Sequence, residues 1–201
     1  PSPLFVLFTE RSKISFDKLN FTPSFLSKET DATLSTELRN NLTGNLSIGV
    51  IPSALLDISE LLSQFVSKYR NINIQVFSMS SNKIEENLHD FKLDIGFTYL
   101  ENEPLMSVEK LPLYKEKYFL VTNKKSYQSQ TSIPWSECHG IDLCLISPEN
   151  QFRRILNSIF LKKNISPNVL IESNSLIHLF SHVSSSSLST IMPGSFAKQF
   201  N

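Results

Sequence analysis

Glycine is scarce in this chain, with 5 in 201 residues. Loops that cradle phosphates need glycine where backbone N–H groups approach the anion, and no GxGxxG, GxxxxGK(S/T) or GxSxG string occurs. Gly-rich nucleotide-binding loops and the nucleophile elbow of hydrolases are thereby excluded, and HExxH metalloprotease chemistry is missing with them. Cysteine is scarcer still: Cys138 and Cys144 stand alone. Two thiols without a CxxC cannot build a tetrahedral thiolate zinc site, and a secreted disulfide scaffold is richer, so a reducing compartment is the simpler reading. Excess charge is absent too, since Lys plus Arg is 19 and Asp plus Glu is 19. A chain that grips DNA by itself needs a basic surplus to neutralise phosphates; DNA contact must therefore come from elsewhere. No run reaches the about 18 apolar residues of a membrane span. Pro1–Phe8 is apolar but lacks a basic n-region and a cleavage site. The Asn-x-Ser/Thr triplets at Asn20, Asn41, Asn45 and Asn164 read as chance matches in a Ser- and Asn-rich chain.

What is present is an ordinary globular composition, 40% hydrophobic and 19% charged. The length suits one domain or two small lobes with a real core. Phe21 to Asn41 reads as a helix, with Thr22 capping, Pro23 in the first turn and a thin apolar stripe that needs a partner. The pattern sharpens at residue 46. Leu46-Ser-Ile-Gly-Val-Ile51 is a strand, and a periodic helix follows with Ile58, Leu61, Leu62, Phe65, Val66 and Tyr69 on one face. Ile72–Phe77 is a second strand. Asn82 looks like the cap of the next helix, with Glu85 as its capping-box partner. Leu93–Thr98 is a third strand. Three strands alternating with two helices predict a parallel βαβαβ unit. Leu105–Leu113 and Tyr118–Thr122 read as further strands. After the polar stretch 123–137 the grammar repeats: strand Ile141–Ile146, a helix with Phe152 to Phe160, strand Val169–Glu172, a helix with Leu176 to Val183, a loop at Ser184–Ser187, and a strand Leu188–Met192 stopped by Pro193.

Several segments in order carry a resemblance. Leu42-Thr-Gly-Asn-Leu-Ser-Ile-Gly-Val-Ile-Pro52, Ile95-Gly-Phe-Thr-Tyr99, Leu111-Pro-Leu-Tyr-Lys-Glu-Lys-Tyr-Phe-Leu-Val121, Ile171-Glu-Ser-Asn-Ser175 and Thr190-Ile-Met-Pro193 resemble the LysR-type transcriptional regulators, in their effector-binding domain. Pro3–Val6 resembles the tail of that family's winged helix. The resemblance implies an α/β fold of two Rossmann-like lobes, of the type II periplasmic-binding-protein kind, with a cleft between them and a linker helix before them. It divides the chain into a winged-helix remnant and linker (1–44), regulatory lobe I (45–122), lobe II (123–194) and the start of a return crossover (195–201). It also implies a cytoplasmic sensor with no catalysis and no cofactor. A small-molecule effector, an anion or carboxylate, and self-association as dimer or tetramer are its implied partners. DNA would be met only through a domain expected before Pro1, and return residues past Pro193 are expected to complete lobe I. A periplasmic-type solute-binding protein of the same fold is the alternative.

In such a fold the ligand lies beyond the carboxyl ends of the strands. Ser53, Ser80 and Ser81 stand where helices begin, where free N–H groups favour an anion, although plain capping explains the same residues. Thr98 ends the third strand; it faces either the ligand or solvent. Ser147 and Asn150 lead into the first helix of lobe II, and Asn174 opens the last one, each with a turn or cap as its bland reading. Neighbouring Cys138 and His139 make a poor nucleophile pair, because adjacent loop residues rarely point at each other. His178 and His182, at i and i+4, share a helix face but lack a third metal ligand, so no metal is expected.

Overall fold

The computed structural model describes residues 3–8, 43–100, 108–124 and 132–199. The helix expected over 21–41 and much of the polar stretch 123–137 lie outside them. The chain forms two compact units, Pro3–Tyr114 and Lys115–Asn201.

The first unit contains β1 (Pro3–Phe8), β2 (Gly44–Val50), α1 (Asp57–Lys68), β3 (Ile72–Ser78), α2 (Ser81–His89), β4 (Ile95–Tyr99) and β5 (Glu109–Lys115). Its sheet runs β3-β2-β4-β1-β5. β2 is parallel to both β3 and β4, as the alternating pattern requires. Leu46, Ile48 and Val50 of β2, Ile84 and Leu88 of α2, and Ile58, Phe65 and Tyr69 of α1 are buried. The Phe65 and Tyr69 rings lie 4.7 Å apart, which is the i, i+4 spacing at work.

Pro3–Phe8 pairs antiparallel with β4, Leu4 opposite Tyr99 and Phe8 opposite Ile95. β4, its partner in the pairing, is buried along its whole length. One expectation changes here. The cap of α2 is Ser80, whose hydroxyl accepts the Lys83 N–H at 3.4 Å; Asn82 lies inside the helix and makes no capping box with Glu85.

Gly49 lets α2 sit close on the sheet. A Cβ there would overlap Leu93 Cδ1 and stand 3.2 Å from Ile84 Cγ1. Gly49→Ala is therefore expected to cost about 2 kcal/mol, since both neighbours are buried and cannot swing away. A urea titration showing no loss would contradict this packing.

The second unit contains β6 (Tyr118–Thr122), β7 (Asp142–Ile146), α3 (Gln151–Lys162), β8 (Asn168–Ser173), α4 (Leu176–Ser185), β9 (Ser189–Pro193) and α5 (Gly194–Gln199). Its sheet runs β6-β9-β7-β8. β7 is parallel to β8 and β9. β6 pairs antiparallel with β9, Tyr118 opposite Pro193, so the strand ending at Thr122 goes with this unit rather than with the first. Pro193 does not stop β9 early. It is the last residue of the strand, where its missing N–H does least harm. α5 follows at once, and its Gly194 N–H donates to the buried Glu116 Oε1 at 2.9 Å. The loop expected at Ser184 begins later, because the Ser184, Ser185 and Ser186 hydroxyls donate to carbonyls one turn back, at 3.0, 2.9 and 2.6 Å. Leu143, Leu145, Phe152, Leu156, Leu179 and Met192 fill the core.

Candidate functional site

In the first unit three parallel strands end together. Ile51 N–H donates to Phe97 C=O at 3.1 Å and Met79 N–H to Val50 C=O at 3.0 Å, so the carboxyl ends of β2, β3 and β4 form one edge. Ser53 stands on that edge in a short 3₁₀ turn, Pro52–Ala54, and is 2% exposed. It caps nothing: the N-cap positions of the turn and of α1 are Ile51 and Leu56. No hydrogen bond from its hydroxyl to another described residue is found. A buried polar group without a partner is uncommon in a folded protein and points to something that completes it. The other candidates on this edge are engaged locally. Ser80 is the exposed cap of α2, Ser81 is buried with its hydroxyl 3.5 Å from Asn82 Oδ1, and the buried Thr98 hydroxyl donates to Tyr99 C=O at 3.3 Å.

The second unit repeats the arrangement. Ser147 N–H donates to Ser173 C=O at 2.8 Å and joins the ends of β7 and β8. Two arginines hold the segment that follows. Arg153 Nη1 donates to Ile146 C=O at 2.9 Å, and Arg154 Nη1 donates to Pro148 C=O at 3.2 Å and Glu149 C=O at 2.7 Å. The Ser147 hydroxyl donates to Glu149 Oε1 at 2.5 Å, and that bond is the main reason the Glu149 carboxyl sits below its ordinary range. Asn150 occupies the N-cap position of α3, its N–H bonded to Ser147 C=O at 3.0 Å. Its side chain is buried, 8% exposed, yet makes no capping bond and has no partner among the described residues. Asn174 is exposed just beyond β8.

Sequence reasoning missed His178 as a member of this edge. It lies in the first turn of α4, exposed, with Nδ1 2.9 Å from Ser173 Oγ and its ring 4.5 Å from that of His182. The i, i+4 spacing drew attention to a metal, whereas the informative spacing was to Ser173 at the strand end. Among the described residues no three His, Cys, Asp or Glu side chains come together.

The cysteines are core residues. Cys138 is 3% exposed and Cys144 fully buried, and burial pushes both thiols above their ordinary range. Cys144 Sγ lies 3.7 Å from Leu179 C=O and 3.6 Å from Ser189 C=O. Since the thiolate is the reactive form, iodoacetamide at mildly alkaline pH should leave both cysteines unmodified in the native chain and label both in concentrated guanidinium. Rapid native labelling would show a reactive thiol instead.

The family model of the LysR substrate binding domain matches residues 39–201. The chain belongs to that family. Solved structures similar to this LysR substrate-binding domain include the effector-binding domain of QuiR in complex with shikimate, at 24% identity over 78% of each chain with a TM-score of 0.65. The regulatory domain of CcmR from Synechocystis PCC6803, in complex with 2-PG, matches at 14% identity, covering 77% of this chain and 74% of that one, with a TM-score of 0.62. Full-length CbnR complexed with its target DNA matches at 18% identity and a TM-score of 0.67, covering 77% of this chain and 55% of CbnR. At these identities the likeness shows the fold, the α/β type II periplasmic-binding-protein kind expected from the sequence. Among the described residues no helix is long and apolar enough to cross a membrane.

Proposed function

We propose that this LysR substrate-binding domain is the effector-sensing part of a cytoplasmic transcription regulator, not an enzyme, and that it binds a small organic anion at the carboxyl edges of its parallel strands. The observation that carries this reading is the pair Ser53 and Asn150. Each follows the first parallel strand of its unit, each is buried, and each has a polar side chain without a partner among the described residues. Ser81 and Thr98 stand on the same edge as Ser53, with Ser80 capping α2, and Ser147 and Asn174 stand on the same edge as Asn150. QuiR, of the same fold, is described with shikimate, a hydroxylated carboxylate. Hydroxyl and amide side chains suit such a molecule.

The mechanism follows as a population shift. A ligand that binds one arrangement of the chain more tightly raises that arrangement's share, and the bias passes to whatever the domain is joined to. Contact with DNA would belong to a separate domain, since this chain has no net positive charge and the DNA-bound CbnR is a longer chain. Self-association is supported by the exposed edges of both sheets. β3 carries Val76 and Phe77 at 41% and 43% exposure, and β8 carries Leu170 at 56%. Apolar side chains on an unpaired edge strand suit a partner surface.

The test is a thermal-unfolding scan against shikimate, citrate, phosphate, sulfate and amino acids. A ligand specific for the folded chain adds about 2.7 kcal/mol at a hundred times its dissociation constant. Ser53→Ala and Asn150→Ala should leave the ligand-free transition nearly unchanged, because neither side chain is bonded, and should abolish the shift. A shift that survives both substitutions, or a cooperative transition that no compound moves, would overturn the reading.

A further inference from the structure

The second unit also carries a pocket of about 440 Å³, lined by Trp135, Ser136, His139, Lys163, Asn164 and Ile165. It lies at the amino-terminal end of the sheet. His139 and Gly140 lead into β7, and Asn164 and Ile165 precede β8. Those strands are parallel, so Ser147, Asn150 and Asn174 are a strand length away, roughly 15 Å.

The pocket is built rather than collapsed. Trp135 is held edge-on by Tyr118 and Phe160, with ring centroids 6.4 and 6.0 Å away. The rim is tied by backbone bonds: His139 N–H to Ser136 C=O at 3.0 Å, Gly140 N–H to Ser166 C=O at 3.0 Å, Asn164 N–H to Leu161 C=O at 3.2 Å and Ile165 N–H to Phe160 C=O at 2.9 Å. His139 Nδ1 accepts the Ser166 N–H at 3.3 Å, so the neutral ring carries its proton on Nε2 as a donor. Asn164 has φ 54°, an ordinary conformation for Asn just past a helix end, and this turn sets its amide in the lining. The lining thus offers an ammonium, an imidazole N–H, an amide and a hydroxyl. Among the described residues the lining holds no carboxylate to neutralise Lys163. The indole and Ile165 supply an apolar face.

We propose that this pocket is a second small-molecule site, taking a carboxylate with a flat apolar body such as an aromatic acid. The ammonium and neighbouring donors select the negative group, and the indole selects the ring. The site is separate from the strand-end edges and does not depend on their role.

Trp135 is the chain's one tryptophan, so its emission reports on the pocket directly. The chain is titrated with benzoate, with benzyl alcohol (the ring without the charge) and with acetate (the charge without the ring). Benzoate should give a saturable emission change, and the other two should bind about tenfold more weakly or worse. Lys163→Met, at an exposed position that leaves folding intact by circular dichroism, should weaken benzoate about tenfold. His139→Ala should weaken it less. Ser53→Ala with Asn150→Ala should leave the titration unchanged even where they abolish a ligand response at the strand ends. Linear, non-saturating quenching would overturn the proposal. So would equal affinity in Lys163→Met, or loss of the signal in the strand-end variant.

Discussion

Arg153→Met is expected to lower the stability of the second unit by about 3 kcal/mol, as the loss of one buried and one part-buried charge-assisted hydrogen bond. The guanidinium is buried at 7% exposure near the start of α3. Nη1 reaches Ile146 C=O at 2.9 Å and Glu172 Oε1 at 2.7 Å, and Nε reaches Asn157 Oδ1 at 2.9 Å. Methionine fills the space of the aliphatic stem but leaves the buried carbonyl of Ile146 unpaired. The Glu172 side chain is 45% exposed and Asn157 is exposed, so both regain water and the cost falls chiefly on the carbonyl. Glu172→Gln keeps an acceptor and should cost only about 1 kcal/mol, because that ion pair is partly screened. Ile146 directly precedes the segment with Ser147 and Asn150. Arg153→Met should therefore also weaken the response to any strand-end ligand, while Glu172→Gln should largely preserve it. Urea titrations of both variants check the first claim; a loss within about 0.5 kcal/mol for Arg153→Met would show that Ile146 is held by other contacts.

Phe152→Ala should cost still more, about 4 kcal/mol, the usual range for deleting a buried aromatic ring. Phe152 is 1% exposed in the first turn of α3, and its ring meets Tyr118 edge-on at 5.3 Å. Tyr118 in turn touches Trp135. The cavity thus opens beneath a chain of rings that joins β6, α3 and the turn before β7. Leu161→Ala is the control, since Leu161 is on the same helix and 80% exposed; it should cost less than about 0.5 kcal/mol. Similar losses for the two would contradict the described core. Because Tyr118 and Trp135 lean on the same ring system, Phe152→Ala should also change the Trp135 emission without any ligand.

The elements were legible where periodicity is strong. Ile58, Phe65 and Tyr69 mark one face of α1, and the apolar runs of β2, β4 and β7 mark buried strands. The alternation of strand and helix then led to two α/β lobes. What escaped was non-local. Nothing in Pro3–Phe8 says that its neighbour is β4, about ninety residues on, since strand pairing is decided by partners and not by propensity. The same holds for β6, whose place is settled by β9. Capping escaped for a different reason. Ser80 and Asn82 are both good N-caps, and Ile84 and Leu88 mark the buried face of α2 without marking its first residue.

The candidate site shows the same division. Residue type and position after a strand singled out Ser53 and Asn150, but left capping as an equal explanation for Ser53 and a turn and cap as the slightly favoured one for Asn150. In the structure neither side chain makes a capping bond: Ser53 sits in a 3₁₀ turn ahead of α1, and Asn150 holds the cap position without one. His178 was overlooked because its contact with Ser173 depends on how β8 hands over to α4.

The most direct test of the sensing account is amide chemical-shift mapping of the chain titrated with shikimate, citrate, phosphate and sulfate. The account predicts that a compound that raises the unfolding temperature perturbs the amides of 51–54, 79–82, 98–100, 147–151 and 173–178, at the strand ends that carry Ser53 and Asn150. Perturbations confined to the far end of the second unit, beside Trp135 and Lys163, or none with any compound, would contradict it.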